Sequence, residues 1–373
     1  MPNRLAYLDA LKIVMTVLVV LHHTSITYGG AGSWFYYETP KDELSPVLLT
    51  LFTVVNQSFF MGLFFFISGY VTPDSYDRKG AAGFMRDRLR RCGVPMLVFM
   101  LIFSPLLRYI ADGYPGTFWQ YAKQVIVPDP FRGVFHFDVG PLWFLFALLL
   151  FGGGYTAYRM ALGKGWIKVP AALSMRMIML YLVAVGLLNY LVRLFVPVGE
   201  EVMSLQLGYF PAYVGLFAGG IAARRGKWLD KLTVQAGRRW AWTALGAFVL
   251  IPVGMAFGGA LEGDTSAFMG GFTWQSALYS GIEPILGFGI SFALLVWFRE
   301  RWNRQSAIAQ WLSARAFTVY IVHALVVTYI SIGMKGMELH ALVKFGIAGL
   351  LAVPCCFLLA TVFHKIPLIN RYL

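Results

Sequence analysis

The sequence predicts an all-α protein, a polytopic membrane helix bundle of about ten transmembrane helices with both termini cytosolic. Three observations predict it: apolar runs of spanning length, a shortage of charge, and basic residues that gather on one side. Of 373 residues, 58% are hydrophobic and 13% charged, about half the roughly 25% charge of a soluble domain. Mean hydropathy is +0.65. Runs such as Ile13–Leu21, Val47–Val55 and Leu142–Phe151 alternate with short charged segments, as a bilayer-crossing helix of about 20 apolar residues requires.

The spans fall near 6–28, 46–72, 93–110, 139–160, 174–196, 205–223, 240–260, 275–297, 308–333 and 341–363. Between them, 24 of the 31 Lys and Arg residues fall in alternate segments, and those segments are therefore assigned to the cytosol. The net charge of +13 thus reports topology, and no nucleic-acid partner is expected. The whole chain, 1–373, reads as one membrane domain whose partners are the surrounding lipids. The apolar stretch after Arg4 and Lys12 reaches spanning length, so it reads as an uncleaved first helix rather than a signal peptide. Cys92, Cys355 and Cys356 make no disulfide framework and read as packing thiols. The longer external segments are 29–45 and 111–138, the second rich in aromatic and turn residues such as Pro128–Asp129–Pro130. No metal-ligand motif, phosphate loop or internal repeat stands out.

Ionisable residues inside apolar spans are costly and mark function by default. The first span carries Asp9, Lys12, His22 and His23. Lys12 and His23 are eleven positions apart, about three turns, so both project from one helix face. The plainer alternative is a snorkelling lysine and an interfacial histidine. Glu283 in the eighth span and His323 in the ninth fall at a similar depth, with Asn56, Gln57 and Asn189 in the same outer half. A carboxylate in lipid must face a cavity or a partner; a structural helix–helix hydrogen bond would explain Glu283 equally. Arg193 and Arg108 read as unpaired external cations. Arg86, Arg88, Arg90 and Arg91 stand directly before the third span. They fix topology, and they also suit a polyanionic ligand because arginine binds phosphate in a bidentate manner.

Several pieces occur together in order: Leu8–Asp9–Ala10–Leu11–Lys12, ten residues, then His23; Phe64–Phe65–Phe66–Ile67–Ser68–Gly69–Tyr70; Arg88-x-x-Arg91 followed by Pro95; Leu142–Trp143–Phe144; and Tyr320–Ile321–Val322–His323. In this the chain resembles the acyltransferase-3 membrane family over essentially its whole length. Ser75–Tyr76–Asp77–Arg78–Lys79–Gly80 makes it most similar to the branch that includes the glucan biosynthesis succinyltransferases. The resemblance implies an acyl-CoA donor taken from the cytosol and O-acylation of an extracytoplasmic carbohydrate-type acceptor at a bacterial cytoplasmic membrane. It places the essential histidine at His23, its basic partner at Lys12 and its arginine pair at Arg88 and Arg91; the other ionisable residues of the spans, Asp9, His323 and Glu283, are further catalytic candidates. Arg88, Arg91, Arg86, Ser68 and Lys12 would bind the donor, and Asn56, Trp143 and Tyr320 the acceptor. Two departures from the family stand out: Lys12 replaces a commoner arginine, and no histidine precedes Leu142 in Gly140–Pro141–Leu142–Trp143.

The rival class is a proton-coupled secondary transporter, which also uses intramembrane His, Glu and Lys. Pro252, Pro284 and Pro354 interrupt later spans, and the absence of a matching set in the first half argues against two repeated halves.

Overall fold

In lipid every backbone N–H and C=O must be satisfied within its own segment, so apolar sequence of this kind folds as helix. The computed structural model describes residues 5–126, 139–163, 169–259, 265–304, 306–367 and 372, and among them helices account for all extended regular structure. The long helices are α1 (Ala6–Thr27), α2 (Leu44–Arg88), α3 (Trp143–Leu162), α4 (Met175–Arg193) and α5 (Phe210–Gly226). They continue with α6 (Val234–Phe257), α7 (Trp274–Arg301), α8 (Ala307–Gly333) and α9 (Ala341–His364). Among the described residues, eight helical stretches are long and apolar enough to cross a membrane. The sequence-derived count of ten differs for two reasons. The expected spans 46–72 and 93–110 run together in one 68-residue helical stretch, Leu44–Ala111. The span near 205–223 yields α5, which has only 17 residues.

Leu44–Ala111 is not uniform. Gly80 leaves helical geometry at φ 68° and ψ 176°, a region open to glycine because it has no Cβ. Two five-residue π-helical segments follow, Leu89–Gly93 and Phe99–Phe103, ahead of Pro95 and Pro105. Proline has no N–H and crowds the carbonyl four residues back, here those of Arg91 and Leu101; a locally widened turn relieves that crowding. Pro73 also lies inside α2. The proline asymmetry expected from sequence is therefore corrected: the first half is interrupted by prolines as well.

The helices gather into two compact units. The first comprises Met1–Lys12, Val55–Arg86 and Leu150–Gln310. Here α7 packs against α6 and α4 around Ile178, Leu182, Trp240, Phe292 and Val296. Helices α4, α6 and α7 start at Ser174, Thr233 and Thr273, whose hydroxyls accept backbone N–H groups of the first turn. Helix α2 meets α5 at backbone contact: a Cβ on Gly69 would lie 2.1 Å from the Phe217 carbonyl oxygen, and one on Gly220 2.1 Å from that of Phe66. Small residues let membrane helices approach this closely.

A polar cluster sits inside the first unit. Arg193, fully buried at the end of α4, donates to Glu283 of α7 at 2.5 Å, to the Ser280 hydroxyl at 3.1 Å and to the Gly208 carbonyl at 3.0 Å. Its guanidinium also lies over the rings of Tyr279 and Tyr209, and Asn189 donates to Glu283 at 3.4 Å. The sequence reading of Arg193 as an unpaired external cation is thus overturned.

The second unit comprises Ile13–Val54, Asp87–Leu149 and Trp311–Leu373. Its core joins α1, α8 and α9 through Val20, Val319, Val327, Ala352, Cys356, Phe357 and Ala360. The loop after α1 is tied down at several points. Glu38 donates its backbone N–H to the Thr27 carbonyl at 2.8 Å, and its carboxylate is ion-paired with the buried Lys344. The Ala31 N–H bonds Thr50 at 3.1 Å. All three cysteines are free thiols.

Two expected outcomes follow from the first unit. Gly69→Ala and Gly220→Ala each cost about 1–3 kcal/mol by overpacking, read as a lowered melting temperature in detergent, while Gly219→Ala, with nothing within 4 Å of an added Cβ, leaves it unchanged. Arg193→Leu costs about 3–5 kcal/mol because it strands a buried carboxylate; joining it with Glu283→Leu restores most of that loss in the same melting measurement.

Candidate active site

Helix α1 ends in a run of polar side chains that bond within the helix. Thr24 donates to the Val20 carbonyl at 2.8 Å, Ser25 to that of His22 at 2.9 Å, and Thr27 to that of His23 at 3.2 Å. Self-satisfied hydroxyls of this kind let a polar segment persist inside an apolar bundle. His22 is buried, whereas His23 is half-buried.

His23 meets His323 of α8. Nδ1 of His23 lies 3.0 Å from the Val19 carbonyl oxygen and 3.1 Å from Nε2 of His323. Nδ1 of His323 lies 2.6 Å from the Tyr320 carbonyl oxygen. A carbonyl oxygen can only accept, so each imidazole must carry its proton on Nδ1. His323 Nε2 then presents a lone pair, and His23 shares its Nδ1–H between that lone pair and Val19. The remaining nitrogen, His23 Nε2, is left unprotonated in the neutral ring. A base whose tautomer is fixed by a second group is the arrangement acid–base chemistry needs.

Aromatic side chains enclose the pair. Trp34, from the loop after α1, stacks on His23 with centroids 4.0 Å apart and 23° between planes, and continues over His323 at 5.7 Å. Phe35 meets Trp34 edge to face at 5.3 Å and reaches Phe99 at 6.4 Å. On the α8 side, the Tyr320 ring stacks on His323 at 5.8 Å, and its hydroxyl donates to the Pro141 carbonyl. That bond ties the turn Gly140–Leu142, which leads into α3 and Trp143, to the histidine segment of α8. Trp143 is half-buried beside Phe144.

The structure therefore brings together His23, His323 and Tyr320. Arg88 and Arg91 belong to the same unit. The Arg88 guanidinium hydrogen-bonds the Cys92 thiol, and Arg91 is exposed in the first π-helical turn. The remaining sequence candidates, Asp9, Lys12, Asn56, Ser68, Arg86 and Glu283, belong to the other unit. There Lys12 is ion-paired with Asp9 at 2.7 Å on one face of α1. Asn56 is buried, and its side-chain nitrogen has no hydrogen-bond partner among the described residues. Ser68 is half-buried, with its backbone carbonyl accepting from Thr72, and Arg86 is exposed. Glu283 is engaged by Arg193. Pro128–Asp129–Pro130 lies outside the described residues. Among the described residues no group of three or more His, Cys, Asp or Glu side chains is arranged to hold a metal ion.

Sequence reasoning missed Trp34 and the carbonyl acceptors of Val19, Tyr320 and Pro141. The aromatic run Trp34–Phe35–Tyr36–Tyr37, eleven residues after the half-buried histidine, was the available signal.

No curated protein and no solved structure matches this chain. The model of the acyltransferase-3 family, described as an acyltransferase domain, matches residues 5–361. That span takes in α1 to α8, nearly all of α9, and both members of the histidine pair. The chain belongs to the acyltransferase-3 family and is an integral membrane acyltransferase.

Proposed function

We propose that the protein moves an acyl group, acetyl, succinyl or similar, from cytosolic acyl-CoA to a hydroxyl of an extracytoplasmic carbohydrate-type acceptor across a bacterial inner membrane. The observation that carries this reading is the His23–His323 pair: a half-buried imidazole whose free Nε2 is a base and whose Nδ1–H is held by fixed acceptors. The family supplies the reaction class. It also removes the ground for the transporter alternative, since intramembrane histidines serve acyl transfer equally well.

In the proposed reaction the acceptor hydroxyl gives its proton to His23 Nε2 as its oxygen bonds to the thioester carbon. The carbonyl π pair moves onto oxygen. His23 becomes an imidazolium, whose Nδ1–H bonds to Val19 and His323 strengthen because the donor is now charged. When the oxygen pair returns, the C–S bond breaks, and the departing thiolate takes the proton from Nε2. Ester and coenzyme A thiol are released, and His23 is again neutral.

His323 is thus a positioning residue for the base. The arginine pair Arg88 and Arg91 would hold the coenzyme A phosphates, with the exposed Arg91 and the half-buried Arg88 offering several N–H donors for bidentate contact. Trp143 and Tyr320 would line the acceptor side.

His23→Ala is expected to abolish transfer of a radiolabelled acyl group by detergent-purified protein while the melting temperature stays near that of the parent; near-parental turnover would sink the assignment. His323→Ala is expected to lower kcat by about 10²-fold, within the range of general-base contributions, and to shift the pH–rate profile, since Nδ1 loses its ring acceptor. An unshifted profile would reduce His323 to packing. Arg88→Ala is expected to weaken acyl-CoA binding about tenfold in a titration, and unchanged affinity would remove the arginine pair from the donor site.

A further inference from the structure

The loop after α1 delivers an indole onto the catalytic base and leaves its N–H without a partner. Trp34 Nε1 is buried, and among the described residues nothing accepts its hydrogen. A buried donor left unsatisfied costs about 1–3 kcal/mol, and such groups call for an explanation. Looseness of the loop does not provide one. The backbone N–H of Trp34 donates to the Tyr37 hydroxyl, which itself donates to the Gly32 carbonyl at 3.1 Å. The loop is also held by the Glu38–Thr27 backbone bond and the Glu38–Lys344 ion pair. Phe35 is packed on Phe99, and Gly140, at φ 47°, leaves the space both rings need: a Cβ there would come within 2.9 Å of Phe99 and 3.2 Å of Phe35. The indole is clamped in place with its polar edge unused.

We propose that the Trp34 Nε1–H is the hydrogen-bond donor for the carbonyl oxygen of the acyl group, and so for the oxyanion formed when the acceptor attacks. This rests on the assignment of His23 as base. The indole stacks on the base with centroids 4.0 Å apart and 23° between planes, so an acyl carbonyl attacked by an oxygen held at that imidazole also lies beside the indole. As the acceptor oxygen bonds to the acyl carbon, the carbonyl pair moves onto oxygen and the indole N–H donates to the charge that develops. Collapse returns the pair, breaks the C–S bond and loosens the hydrogen bond. An indole has one donor and no acceptor, so it favours the oxyanion over any hydroxyl that needs an acceptor. The enclosing rings of Phe35, Phe99 and Trp34 itself keep water from competing, where a preorganised donor is most effective.

The test uses detergent-purified full chain and follows release of the coenzyme A thiol from whichever of acetyl-CoA or succinyl-CoA the parent turns over. Trp34→Phe keeps a stacked ring and removes the donor. Its kcat is expected to fall about 10²–10³-fold, as when one oxyanion donor is lost, with KM for the acyl-CoA within about twofold. Site-specific replacement of Trp34 by 3-benzothienylalanine, the same shape with sulfur in place of N–H, is expected to show the same loss. Parental kcat in the benzothienyl variant overturns the proposal whatever the phenylalanine variant does. His23→Ala is run alongside: if it is inactive while the benzothienyl variant is fully active, only the Trp34 role fails. If His23→Ala is active, the base assignment fails, and the Trp34 role with it.

Discussion

The hydrogen bond between His23 and His323 is the contact on which the functional structure depends. It joins residues 300 positions apart in sequence, links α1 to α8, and fixes where both imidazole protons sit. Two neutral rings inside a bundle could otherwise adopt several tautomers. The Val19 and Tyr320 carbonyls remove that choice from either end. Because every acceptor along the chain is a backbone oxygen or a ring nitrogen, no carboxylate is needed to orient the base. Glu283, the intramembrane acid most conspicuous in the sequence, serves a different purpose in the other unit.

The two units use their central polar side chains differently. In the first, Arg193 spends all three guanidinium nitrogens on Glu283, Ser280 and Gly208. Charge there is matched by charge, and the cluster holds α4, α7 and the turn before α5 together. In the second, the His23–His323 bond leaves the His23 Nε2 lone pair open, and among the described residues nothing accepts the Trp34 indole N–H. An ion pair set among hydrogen bonds holds the fold together, and an open donor beside a base marks a place where another molecule completes the set.

Much of the fold was legible in the sequence. Helical boundaries followed from apolar runs, and α1, α4, α8 and α9 lie within a few residues of their expected positions. The histidines were found by their depth, since ionisable groups in apolar spans are rare. Which of them meet was not legible. His323 and Glu283 sit at similar depths in consecutive spans, and only packing decides that one approaches His23 while the other approaches Arg193. Arg193 was misread because its partner lies 90 residues away. Trp34 escaped notice because an aromatic residue in an external loop ordinarily belongs to an interfacial belt; the loop that carries it is tied by the ion pair of Glu38 with Lys344, from the far end of the chain.

The paired π-helical turns ahead of Pro95 and Pro105 alter how neighbouring side chains are counted. Each such turn amounts to one residue inserted into a regular helix, which rotates everything beyond it by about 100°. After two insertions the outer part of the stretch faces about 200° away from where an unbroken helical wheel would draw it. Phe99, whose ring supports the aromatic wall around the base, comes after the first of these insertions. Adding or deleting a residue between 89 and 98 would therefore swing that phenylalanine off the wall while leaving hydropathy, length and helix content almost untouched.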